Sequence, residues 1–280
     1  MDFGMIDYTG LTENDFVFRE MHQPYLPGTK NLHPEIFIGL TRWTYGEGDK
    51  TKKNQVPKPG TLPYYAKHFN AIELNATHYA VPDADRINKW YMAAEREDFS
   101  FCPKLFKNIT HFGSLDVQKV GLTKEFIKAV SGFKEKLGTS FIQLKEDISE
   151  KRKEPILAYL KMLPADFKLS LELRHPDWFE NPDTIESFAR ALNALGKGLV
   201  ITDAPGRRDA AHMMLSNGTA FIRFNCRGDH ELDLFRIEQW KKQLRSWFLQ
   251  GLERCYFFLH IHEEDYEEDF IQYTKQELKY

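Results

Sequence analysis

The chain has 280 residues, 42% hydrophobic, 28% charged and 14% aromatic, a globular composition that excludes wholesale disorder. Its 38 Lys and Arg stand against 41 Asp and Glu, and the formal net charge of −3 excludes the basic excess that drives nonspecific nucleic-acid binding. Cys102, Cys226 and Cys255 lack CxxC spacing and sit in apolar runs, which argues against a disulfide framework and predicts buried thiols.

Residues 1–34 carry Pro24, Gly28 and Pro34 with no sustained period, which predicts an irregular leader that packs late or frays. Acids stand near its start and no apolar stretch follows, so no secretory signal is expected and a cytoplasmic location is. Apolar runs such as Cys255 to Leu259 are far shorter than the ~20 residues a membrane-spanning helix needs. From Glu35 onward, strand-like segments at 35–43, 71–78, 99–105, 139–145, 168–175, 198–204, 219–226 and 254–261 alternate with helix-like segments. The helices are expected near 62–69, 83–95, 123–137, 151–163, 182–195, 208–217, 233–250 and 264–278, with Thr123 and Asp183 as N-caps. Gly138, Gly196 and Gly251 stand where helices would end.

Strands that alternate with helices pair in parallel through right-handed crossovers, and eight such units fit an α/β fold of the TIM type, a single-domain (β/α)8 barrel over 35–280. A doubly wound open sheet is the alternative. No strand is followed by GxGxxG or GxxxxGK[ST], so that alternative lacks its nucleotide-binding markers, and no cofactor is expected.

Most strand segments begin apolar and gain polar residues near their C-terminal ends: Thr41 and Trp43, Glu73 and Asn75, Lys104, Gln143, Glu172 and Arg174, Asp203, Arg223 and Asn225, His260. With side chains alternating at period two, Glu73 shares a face with Asn75, Glu172 with Arg174, and Arg223 with Asn225, while Ile72, Leu171 and Ile222 take the other. In a closed barrel the polar face points into the lumen, and its C-terminal rim is where barrel enzymes place their chemistry.

The segments IGLTRW, IELNATHYAVP, FCPKLFKNITH, FIQL, LELRHPDWF and FIRF, in this order, are similar to the domain-of-unknown-function 72, or YecE-like, family over about residues 35–262. The most specific matches are Glu73-x-Asn75-x-Thr77-x-Tyr79 and Glu172-x-Arg174-His175-x-x-Trp178. The resemblance implies a TIM-type barrel with a pocket at the strand C-termini and brings no established reaction. It carries site roles to Thr41, Trp43, Glu73, Asn75, Tyr79, Lys104, Thr110, His111, Gln143, Glu172, Arg174, His175, Asp203 and Arg223, and less directly to Asn225 and His260. The chain departs from the family pattern at His78, where Phe is usual, and at Asn225-Cys226, where His-Gly is usual.

Arg174, Arg223 and Lys104 would bring three cations to one mouth, which suits a small anionic ligand, phosphorylated or sugar-containing. Neutralisation of these cations by Glu73, Glu172 and Asp203 is the structural alternative. Glu172, Glu73 and His175 are the candidates for acid/base catalysis in a hydrolase or lyase. Tyr79, Trp43 and Trp178 could stack on a sugar or base, and His111 lies in a loop after the third strand. His260-x-His262 could form part of a metal site, but no third histidine has matching spacing and no metal is expected. A non-enzymatic binding or scaffold protein, or a metal-dependent enzyme acting on phosphodiesters or nucleic acid, is the competing class, the latter unsupported by the net charge. Neither a membrane partner nor an oligomeric state is indicated.

Overall fold

In a computed structural model of the chain, residues 11–18, 21, 23–46, 56–226, 230–261 and 267–279 are described. Eight strands form one parallel sheet: β1 Glu35–Leu40, β2 Ala71–Leu74, β3 Ser100–Pro103, β4 Ser140–Gln143, β5 Leu169–Glu172, β6 Gly198–Asp203, β7 Thr219–Asn225 and β8 Arg254–His260. Their order is β3-β2-β1-β8-β7-β6-β5-β4, so each strand lies beside its neighbour in sequence and β1 pairs with β8. The seam between β3 and β4 is closed by Leu105 N donating to Phe141 O (2.9 Å) and Gly138 N to Phe101 O (2.8 Å). The result is a nearly closed barrel alternating with helices, as the sequence predicts.

The helices follow from apolar spacing and local caps. In α5, Pro182–Ala194, numbered after α1 Leu62–His68, α2 Ala84–Ala93, α3 Val120–Val130 and α4 Lys153–Lys161, the buried Ile185, Phe188, Ala189 and Leu192 repeat at i, i+3, i+4 and i+7. Asn181 Oδ1 accepts from Asp183 N at 2.9 Å, so the N-cap is Asn181, two residues before the expected Asp183, with Pro182 in the first turn where its missing N–H costs nothing. α3 likewise starts at Val120 rather than after Thr123; Thr123 is inside the helix and bonds to Lys119 O. Gly196, with φ +64°, and Gly251, with φ +102°, stop α5 and α6 (His230–Leu249) in the left-handed conformation that favours glycine. α7, Glu267–Glu277, closes the chain's described part, and among the described residues no helix is long and apolar enough to cross a membrane.

The expected helix at 208–217 is absent. A short 3-10 turn, Arg208–Ala210, is followed by irregular chain in which Met213, Met214 and Leu215 are all buried. A distant segment of chain covers this run, which leaves an amphipathic helix no solvent side there. The leader lies against it instead. Gln23 Nε2 donates to Met213 O (2.7 Å) and its Oε1 accepts from Leu215 N (3.0 Å). Phe16 is fully buried, and Phe18 packs on Trp240 of α6 at 4.6 Å, so the described part of the leader is packed rather than frayed.

The apolar core divides as the strand alternation requires. Phe37, Ala71, Cys102, Phe141, Val200, Phe221, Tyr256 and Phe258 fill the barrel interior, while the larger cluster, including Leu40, Ile72, Leu171 and Ile222, lies between the wall and the helices. Trp240, Trp247, Phe248 and Phe270 belong to that outer core and are buried, which settles them as packing residues. Gly39 faces the interior where a Cβ would collide with Ala71 O and press on Phe258, so the strand can carry no side chain there.

Candidate functional site

Above the interior aromatic layer, the next inward positions of the strands are polar, and they converge. Arg223 of β7 crosses the lumen to β2 and β5: its Nε donates to Glu73 Oε2 (2.8 Å), its Nη2 to Glu73 Oε1 (2.9 Å) and its Nη1 to Glu172 Oε2 (2.6 Å). The guanidinium lies 5.3 Å from the centre of the Phe141 ring beneath it. His260 of β8 donates from Nε2 to Glu73 Oε2 (3.1 Å), and Asn75 Nδ2 donates to Glu73 Oε1 (3.0 Å). Glu172 also accepts from Gln143 Nε2 (2.9 Å), Thr202 Oγ1 (3.1 Å) and Arg174 Nε (3.2 Å). Lys104, at the end of β3, donates to Gln143 Oε1 at 2.9 Å. Side chains from seven segments, β2 to β8 or the residues just beyond them, thus meet at one rim.

Both carboxylates are fully buried and both stay ionised. Burial alone would raise the Glu172 pKa, but the facing Arg223 and Arg174 guanidiniums and the Gln143 amide outweigh it and hold the group at about 2. Glu73 is held well below the usual carboxylate range in the same way, its burial overcome by Arg223 and then His260. His260 itself is pushed down by burial, against the opposing pull of Glu73, and so donates as a neutral imidazole. Burial, and then Arg223, lower the Lys104 amine to about 8, with Glu172 and Glu73 pulling the other way.

The polar residues named from the sequence divide into three groups. Glu73, Asn75, Lys104, Gln143, Glu172, Arg174, Arg223 and His260 form the cluster. Asn225, in register with His260, occupies an inward position of β7 at the same rim, and Thr41 lies just past the end of β1, partly exposed. Trp43 is half-buried and packs 5.6 Å from Trp90. Tyr79 is 68% exposed with Lys107 Nζ 5.9 Å from its ring, and His111 is held by Thr110 Oγ1 at 2.6 Å and packs 4.8 Å from the His78 ring. Burial and then Lys104 lower the His111 pKa, so the imidazole shares the field of the cluster.

Asp203 and His175 are placed elsewhere. Thr202 takes the inward position at the end of β6, so Asp203 points to the helix side, where it pairs with Arg208 and with Arg236 Nη2 (3.0 Å) and accepts from Trp240 Nε1 (2.7 Å). Phe16 of the leader covers this pair of arginines, its ring centre 4.7 Å from the Arg208 guanidinium and 5.5 Å from that of Arg236. His175 Nδ1 accepts from Asp177 N (3.2 Å), which holds the ring at the start of the Asp177–Glu180 turn rather than beside Glu172. Trp178 is fully buried, with Nε1 donating to Ile148 O (2.8 Å), and offers no stacking face. Three residues at the rim were not among the site residues expected from the sequence. Thr202 was recoverable from its period-two relation to Val200; His78, bonded through Nδ1 to Leu105 O (2.8 Å), and Arg207, which donates to Arg174 O (2.9 Å), had no such signal.

Among the described residues, Glu73 and Glu172 are the carboxylates that pair with Arg174 and Arg223 inside the lumen, whereas Asp203 has its own partners outside. Glu146 approaches Arg174 only from solvent, at 3.6 Å and 59% exposed, where water screens the pair. Lys104 is the cation whose hydrogen-bond partner is a neutral amide. Among the described residues no three His, Cys, Asp or Glu side chains are grouped to hold a metal; His262 lies outside the described residues, and His260 is turned to Glu73.

Relatives share this architecture. The chain is 26% identical over 243 residues to the UPF0759 protein YecE of Escherichia coli (strain K12), covering 80% of this chain and 86% of that protein. It is 28% identical over 159 residues to the UPF0759 protein YunF of Bacillus subtilis (strain 168), covering 52% and 53%. Among solved structures, a DUF72 protein of Enterococcus faecalis V583 superposes with a TM-score of 0.67 over 88% of this chain and 98% of that one at 16% identity. One from Thermotoga maritima MSB8 does so with a TM-score of 0.63 over 86% and 98% at 17% identity. Residues 37–280 match the family described as "Protein of unknown function DUF72", and the chain belongs to that family.

Proposed function

We propose that the barrel mouth binds a small anionic ligand, a phosphorylated sugar-type compound, at the rim formed by Lys104, Arg174 and the loops after β2 and β3. The observation that carries this is the setting of Lys104, a cation at the mouth whose hydrogen-bond partner is a neutral amide. Among the described residues, Glu73 and Glu172 accept from Arg223, Arg174 and neutral donors, and Lys104 hydrogen-bonds to an amide rather than to a carboxylate. A half-buried cation of that kind is favoured when an anion supplies the missing charge. The exposed Tyr79 ring, with Lys107 beside it, offers a face for a sugar ring.

Glu172 serves this site better as an anchor than as a proton carrier. A general acid or base works best with a pKa near the operating pH, whereas this carboxylate is held at about 2 by its guanidinium partners. Its work is to fix Arg174, Arg223 and Gln143 in place, and Glu73 does the same for Arg223, Asn75 and His260.

The test is calorimetric titration with inorganic phosphate and a panel of sugar phosphates, each paired with its unphosphorylated sugar. Phosphorylated members are expected to bind and their neutral counterparts not. Lys104→Met removes one charge-assisted contact worth about 1.5–3 kcal/mol, so it should weaken binding roughly ten- to hundredfold. Absence of binding by every phosphorylated compound, or undiminished affinity in the variant, would refute the reading.

A further inference from the structure

Lys104 differs from Lys136, Lys197 and Lys275, three other described lysines drawn in from solvent. Lys136 Nζ donates to Tyr91 O and Ala94 O, and Lys197 Nζ to Pro164 O, Ala165 O and Phe167 O, so both are held as structural cations by backbone carbonyls. Lys275 bonds to His68 O and stacks over Phe69, away from the lumen. Lys104 alone of these four stands at the C-terminal end of a barrel strand, facing the guanidiniums of Arg174 and Arg223. It is aimed, too. Gln143 cannot turn its amide over, because its Nε2 end is engaged by Glu172, so its Oε1 stays directed at the Lys104 Nζ. The Phe141 ring, its centre 6.0 Å from that nitrogen, gives the amine an apolar floor.

Resting on the anion-binding reading above, we infer that Lys104 is a nucleophilic amine that forms an imine with a carbonyl group of the anionic ligand, which assigns the site to phosphorylated aldehydes or ketones. Such compounds carry both features the mouth addresses: an anion for the cationic rim and an electrophilic carbon for an amine. Burial, and then Arg223, lower the Lys104 pKa to about 8 and keep a usable fraction of it unprotonated near neutrality. With a pKa of about 8 against 10.5 for an exposed lysine, that fraction at pH 7 is roughly three hundredfold larger.

The step balances without a further reagent. The unprotonated Nζ adds to the carbonyl carbon while the carbonyl π pair moves to oxygen. That oxygen takes a proton from solvent and the nitrogen releases one. The resulting hydroxyl, protonated from solvent, leaves as water, and the nitrogen lone pair closes the C=N bond to give a protonated imine. One water is expelled for one imine formed, and no electron is transferred to or from the pair.

Reductive trapping tests the inference on the full chain. Glycolaldehyde phosphate and cyanoborohydride are added at pH 7, the hydride converting any imine to a stable secondary amine, and adducts are mapped by peptide mass spectrometry. In parallel, inorganic phosphate binding is followed by calorimetry. The adduct on Lys104 is expected to exceed that on exposed lysines such as Lys161 by at least about tenfold. It should fall when inorganic phosphate competes, and disappear from that position in Lys104→Arg while persisting in Lys161→Arg. Phosphate binding with adducts spread evenly over lysines, or concentrated on Lys275, would overturn the imine and leave the anion site standing. Failure of both phosphate binding and Lys104 labelling would overturn the inference together with the reading on which it rests.

Discussion

Arg223 is the residue on which the rim depends, because its three terminal contacts tie β2 and β5 across the lumen to β7. A buried ion pair need not add net stability, but removing one partner leaves a charge in the interior with nothing to balance it. Glu73→Gln keeps the side-chain shape while withdrawing the charge that holds both Arg223 and His260. We expect it to lower the unfolding free energy by about 3–5 kcal/mol, measured by urea denaturation. A loss below about 1 kcal/mol would show that Glu172 alone can hold Arg223. Much of this cluster was legible in the sequence, since period-two alternation puts Glu73 with Asn75, Glu172 with Arg174 and Arg223 with Asn225 whatever the details of packing. Asp203 was misplaced because its charge drew attention from Thr202, and alternation gives the inward position to only one of two neighbours. His175 was misplaced for a related reason: beyond the end of β5 the chain turns, and the alternation that sorts strand residues no longer applies.

At the scale of elements, the same rule explains which parts of the fold could be read in advance. The strands were legible because a run such as Arg254–His260 is too short and too β-rich to be anything else between two helical segments. Their C-terminal limits were drawn late, as at 71–78, where the strand ends at Leu74 and a single helical turn, Ala76–Tyr79, begins. The helix expected at 208–217 failed because two distant pieces of chain share one place on the barrel wall, and no local pattern reports a partner some 190 residues away. Gln23 is the joint between those pieces. Gln23→Ala would leave a buried carbonyl and a buried N–H without their partners, each costing about 1–3 kcal/mol. We expect a loss of about 2–6 kcal/mol, together with faster hydrogen exchange at the Leu215 amide. An unchanged exchange rate there would mean that the leader only rests on the wall.

For the molecule as a whole, the buried ionisable groups set a direction for stability against pH. His212 and His78 are both pushed down to about 4 from 6.5, in each case first by burial. His212 faces Val200 O, which pulls the other way, Asp209 and the Phe179 ring; His78 faces Leu105 O, Lys104, His111 and Lys107. Between pH 6.5 and about 4 the unfolded chain therefore binds protons that the folded protein refuses, and folding becomes weaker as pH falls through that window. A second loss follows lower down. Glu172 and Asp203, held at about 2, stay ionised in the fold while their unfolded counterparts take up protons near 4.5 and 3.8. Stability contributed by those carboxylates is complete above about pH 4.5 and fades toward pH 2. The melting temperature should thus begin to fall below pH 6.5, before any carboxylate titrates, and fall more steeply below 4.5. Replacing both histidines, His78→Gln and His212→Gln, should make the upper limb shallower, with His111 and His260 keeping a share of it, and leave the lower one. Calorimetric melting temperatures from pH 8 to pH 3 check this: a flat profile between 6.5 and 4.5 in the unmodified protein would mean that these imidazoles accept protons without unfolding.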